Sequence, residues 1–179
     1  MRAILVSVTT AAAVLVALPS AAAHRGGTDP YPTRLLGPRT RTSGCHVHGA
    51  LPDRACSPGA VFVGVSLATI CTTGYTARVR SVGTDERASI FHEYGLPYRS
   101  YGRSYEIDHI VSLELGGSNN AANLYPEAAT PPPGYHVKDR LENRLHRLVC
   151  ANQLPLGVVQ RDIARNWVSL YRQVYGVDP

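Results

Sequence analysis

The chain of 179 residues is long enough to bury one core, and a second domain is not expected. With 44% hydrophobic and 17% charged residues it reads as globular, which excludes a disordered tail or a membrane-embedded bundle. The net charge of +5 rests on arginine, since Lys138 is the only lysine among 18 basic residues, and a guanidinium-rich surface suits a polyanionic partner.

In chain order, Arg2 precedes an apolar run from Ala3 to Leu18, broken by Pro19 and Ser20 and followed by Ala21-Ala22-Ala23. This pattern predicts a secretory signal peptide over residues 1–23, too short to serve as a membrane span, with a mature start near His24. Residues 24–43 lack periodicity and read as a flexible leader. A single domain is then expected over residues 44–179. Export makes Cys45, Cys56, Cys71 and Cys150 disulfide partners, with Cys45–Cys56 as a local clip and Cys71–Cys150 as a long-range staple. A zinc site using the neighbouring His46 and His48 is the competing reading, but the spacing lacks paired Cys-x-x-Cys knuckles.

Ala60–Thr69 is β-branched and apolar and predicts a strand weakened by Gly64, while Tyr75–Val82 alternates and predicts another. Thr84 or Asp85 caps a predicted helix through Glu93, ended by Gly95 and Pro97. Pro97–Tyr105 reads as a loop rich in Tyr, Arg, Ser and Gly. Val137, Leu141, Leu145 and Leu148 predict an amphipathic helix carrying an Arg140, Arg144 and Arg147 stripe. Val159, Ile163, Trp167, Leu170 and Val174 predict a second helix, with Arg161, Arg165 and Arg172 on another side.

The stretch from Tyr105 to Cys150 concentrates the chemistry. An apolar-flanked Asp108-His109 pair is followed by a Gly116-Gly117 turn, an Asn-rich loop, Asn123-Leu124-Tyr125 and the charged helix. An acid beside a histidine, with polar groups returned by a hairpin and a helix, is a set of parts for holding a divalent metal next to a general base. Glu106 shares strand parity with Asp108 and either faces the same centre or is solvated.

On these residues the segment resembles the HNH endonuclease domain, the ββα-metal fold. Asp108-His109 matches the opening pair, Gly116-Gly117 the turn, Asn123 the central Asn, and His136 with Lys138 the closing element. The run EIDHIVSLELGGSNNAANLYPE, then KDRLE and VC, resembles exported bacterial HNH-type proteins, as do the upstream Pro58–Phe62 and Ile70–Tyr75 segments. The resemblance implies an α+β fold, a ββα-metal centre with flanking helices and a disulfide-braced N-terminal segment.

It also implies an exported endonuclease that hydrolyses DNA, or RNA, at phosphodiester bonds. His109 would be the general base and Asn123 the brace for its loop. Asp108 and His136 would hold one divalent metal, Mg²⁺ first with Mn²⁺ or Zn²⁺ as alternatives, while Asp139 and then Glu142 stand behind His136 as ligands. Lys138, Arg140 and Arg144 would contact phosphates. The alternative is a non-catalytic exported nucleic-acid-binding or structural protein that keeps the fold.

Overall fold

The computed structural model describes residues 29–179, so the expected signal peptide and the first part of the expected leader lie outside the described residues. The chain is a mixed α/β fold with two small antiparallel sheets and two disulfides. Among the described residues no helix is long and apolar enough to cross a membrane.

Strand β1 (Thr33–Leu35) pairs antiparallel with β2 (Ala60–Phe62), Arg34 opposite Val61. The predicted leader is thus ordered from well before Ser43. Pairing with β2 satisfies its backbone, and Arg39 pins the following turn by donating to Cys56 O at 2.8 Å and to Glu93 Oε2 at 2.5 Å. The expected long strand from Ala60 stops at Phe62. Gly64 turns the chain at φ +81°, and the Ser66 hydroxyl then accepts from Thr69 N to cap the short helix α1 (Leu67–Ile70).

The second predicted strand is also corrected. Residues Tyr75–Val79 form helix α2, opened by Gly74 at φ +76°. Tyr75 and Val79 stand four apart and bury one face; in so short a run, alternation does not distinguish strand from helix. Helix α3 (Thr84–Glu93) follows the expected bounds. Its Phe91 ring is met edge-on by Tyr98, Tyr101 and Tyr105 at centroid distances of 5.7, 6.0 and 6.3 Å.

Strands β3 (Tyr105–His109) and β4 (Leu124–Ala128) pair antiparallel, with Asp108 opposite Tyr125 and Glu106 opposite Glu127. Between them Gly116 takes φ +75°, and Gly117 lies so close to Val111 O that a Cβ there would stand 1.8 Å from it. The two glycines therefore do separate jobs, one a left-handed turn and the other a close approach.

Helices α4 (Tyr135–Cys150) and α5 (Leu156–Tyr175) cover the hairpin. On α4 the buried face is Lys138, Leu141, Glu142, Leu145 and Val149, one step around from the expected stripe, whose Val137 and Leu148 are half-buried. Helix α5 buries Val159, Ile163, Trp167 and Leu170 but breaks at Asn166, whose side chain accepts from Ser169 N at 2.9 Å and restarts the helix. The disulfides pair as expected. Cys45–Cys56 clips the turn-rich segment, and Cys71–Cys150 ties the end of α1 to the end of α4. The latter closes a span of 79 residues, on the order of 4 kcal/mol of chain entropy removed from the unfolded state.

Candidate functional site

Strand β3 is short, and its alternate residues serve two different environments. Ile107 and His109 point to one side and line a pocket of about 130 Å³ with Arg80, Val82, Arg87 and Tyr101. Glu106 and Asp108 point to the other, toward β4 and the buried face of α4.

His109 is 3% exposed and forms part of the pocket wall. Its Nε2 lies 3.3 Å from Asn119 Oδ1. The Asn119 amide is fixed in that orientation because its Nδ2 donates to Asp29 Oδ1 and to Val79 O, both at 2.8 Å, while Oδ1 also accepts from Ser81 N. Nε2 must then carry the hydrogen, which leaves Nδ1 with the free lone pair. Burial pushes the His109 pKa down to about 4 against the pull of the Asp108 carboxylate, so the ring is neutral at physiological pH and able to accept a proton.

Asn123 is fully buried and every arm of its amide is used. Oδ1 accepts from Val111 N at 2.9 Å and Ala60 N at 3.2 Å; Nδ2 donates to Val111 O at 2.9 Å and Ser118 O at 2.8 Å. One side chain thereby ties β2, the segment after His109 and the glycine loop together, the bracing geometry that the resemblance implied.

On the opposite side, Lys138 is completely buried. Its ammonium donates to Asp108 Oδ2 at 2.6 Å, to His109 O at 2.7 Å and to Glu142 Oε1. The other Asp108 oxygen accepts from His109 N at 2.8 Å. Burial works to raise the Asp108 pKa, but the Lys138 ammonium together with the neighbouring Glu127 and His109 holds the carboxyl below its usual range. Glu142 is raised to about 8, by burial first and against the attraction of Lys138. Burial and the Asp108 charge also raise Glu127 well above the carboxylate range. Among the described residues neither buried Glu127 oxygen has a hydrogen-bond partner, and the group avoids a bare buried charge by keeping its proton.

Of the remaining expected ligands, His136 stays at the surface and Asp139 is half-buried. His136 is exposed and packs on the Tyr135 ring at 4.3 Å. Glu106 is raised to about 7 by burial and by the charges of Asp108 and Asp139, and Asp139 is itself raised by burial and by Asp108. Among the described residues, no three carboxylate or imidazole groups here bring ligand atoms within 4.8 Å of one another; the trio that does is Cys71, His146 and Cys150, whose two sulfurs are joined in the disulfide.

As arranged, then, the centre does not fit a divalent ion on Asp108 and His136, because Asp108 is already held by an ammonium and a backbone N–H and His136 points away to solvent. Lys138, expected on a nucleic-acid surface, is corrected to a wholly interior cation. Arg140 and Arg144 do stand exposed on α4. Sequence reasoning missed Arg80, Arg87 and Asn119; the first lies in a segment read as a strand, the second in the expected helix through Glu93, and the third is one of two adjacent asparagines.

Comparison with known proteins returns no match to this chain from family models, curated proteins or solved structures.

Proposed function

We propose that this protein is an exported phosphodiesterase of the HNH type, a nuclease in which a β-hairpin and the following helix build the centre. The observation that carries this reading is the neutral His109 ring in a small pocket walled by Arg80 and Arg87. A guanidinium suits a phosphate, with Arg80 exposed and Arg87 bonded to Val82 O and Tyr101 OH behind it. A histidine in the same pocket is in place to activate its attacker. The two disulfides and the apolar N-terminal run support work outside the cytoplasm.

In the proposed reaction His109 Nδ1 takes a proton from water while the water oxygen bonds to phosphorus. The opposite phosphorus–oxygen bond breaks, and the leaving oxygen takes a proton from solvent. Arg80 and Arg87 offset charge on the non-bridging oxygens. Asn119 and Asn123 act through position: the first holds the His109 tautomer, and the second fixes the loop that carries the ring.

Nicking of supercoiled plasmid, with cleavage of single-stranded DNA and RNA alongside, tests the reading. Wild type should cut and His109→Ala should not; equal cutting by both sinks the proposal. The second reading, a nucleic-acid-binding protein without turnover, is favoured by the closed charge cluster around Lys138. Retained DNA binding with no cleavage by wild type would select it.

A further inference from the structure

The Lys138 ammonium has an unusual set of partners. Two are carboxylate oxygens, Asp108 Oδ2 and Glu142 Oε1, and the third is a backbone carbonyl, His109 O. Carboxylates and carbonyls converging on one point form the donor set that hard divalent cations take. Here that point is filled by a nitrogen at the end of a side chain that has no exposed surface at all. The cage comes from β3 and the first turns of α4, the same two elements that carry the proposed catalytic histidine and its flanking helix.

An ammonium and a metal ion cannot share the cage, since two cations in contact repel strongly at low dielectric. Nor can the ammonium easily leave. Asp108 would be left with the His109 N–H as its donor, and the Lys138 stem is wholly buried.

We propose that Lys138 Nζ is the permanent cation of this centre, filling an oxygen cage that would otherwise take a divalent metal, so that the protein holds its hairpin and helix together without one. The inference rests on the proposed nuclease reading only for its catalytic corollary, cleavage that survives chelation; the occupancy of the cage is independent of it. Removing the lysine should open the cage. Asp108, Glu142 and His109 O would then face a vacant point, with the Glu127 carboxyl beside Asp108 as a further oxygen source.

Mn²⁺ binding, followed by isothermal titration and by electron paramagnetic resonance on chelator-dialysed protein, tests this directly. Wild type should take up no stoichiometric Mn²⁺ at micromolar to submillimolar concentration, while Lys138→Ala should bind one ion at least tenfold more tightly than wild type. Should Lys138→Ala fail to fold, Lys138→Met leaves the same oxygens with a better-filled core. Stoichiometric uptake by wild type that disappears in Asp108→Asn overturns the proposal, and so does a folded Lys138 variant that gains no affinity. Because the binding measurement uses no substrate, a wild type that neither binds Mn²⁺ nor cuts nucleic acid defeats the nuclease reading while leaving the caged ammonium standing. Cleavage by wild type that persists in excess EDTA completes the expected result.

Discussion

The two sides of β3 make opposite use of neighbouring residues. On one, Ile107 and His109 meet a small arginine-walled pocket, and the imidazole is kept neutral and able to accept a proton. On the other, Asp108 meets an ammonium and further carboxyl groups in a tightly bonded cluster. A displacement of one residue along a strand switches a side chain between these environments, so the hairpin register is itself a chemical choice. The contrast teaches that an Asp-His dipeptide need not act as a unit: the acid here secures the helix, and the base faces the open side.

Breaking the closed side should have the largest effect on folding. Lys138→Met removes the cation from beside Asp108 and should cost about 3–5 kcal/mol in urea unfolding. A loss below about 1 kcal/mol would show that the cluster does not hold the hairpin to α4.

Breaking the open side should act on turnover instead. His109→Ala is expected to lower plasmid nicking by about 10²–10⁴-fold, with DNA affinity held within about threefold. A matched loss of affinity would place the ring in binding rather than in catalysis.

The sides should also respond to pH with opposite signs. The folded His109 pKa is lowered from 6.5 to about 4, so its contribution to stability is present above 6.5 and lost as pH falls toward 4, about 3 kcal/mol in all. Glu142 is raised from 4.5 to about 8, so its contribution is present below 4.5 and lost as pH rises toward 8. Thermal melts across this range should show His109→Asn flattening the acid limb and Glu142→Gln the alkaline one. If each variant flattens the other's limb, the assignment is wrong.

The smallest effect is expected at the pocket rim. Arg80 is exposed and free of the carbonyl bonds that tie Arg87 to Val82 O. Arg80→Ala should weaken DNA binding about tenfold and reduce the salt slope by about 1. An unchanged slope would remove Arg80 from the phosphate contacts.

Part of this was legible in the sequence because local rules and tertiary demands agree. Gly116-Gly117 marks a turn, Asn123 has the donors and acceptors for a brace, and the α4 and α5 stripes carry the helical period. The cysteine pairing follows the expected clip and staple. Other features were hidden by context. Lysine is the side chain least often interred, so nothing local marks Lys138 as interior; only the carboxylates brought to it by β3 and its own helix make that position tolerable. Arg80 shares a pocket with His109 after a helix opened by Gly74 where alternation suggested a strand, and Arg87 joins it from α3. Asn119 gains its role through partners on Asp29 and Val79, both remote in the chain.

The Asp29 contact carries one more implication. Its carboxylate holds Asn119 from ninety positions upstream. Removing that carboxylate, as in Asp29→Ala, would leave the amide held by Val79 O and Ser81 N alone, a looser grip on the oxygen that keeps the imidazole hydrogen on Nε2. A carboxylate ninety positions away in the chain would in this way tune the reacting nitrogen through a single intervening amide.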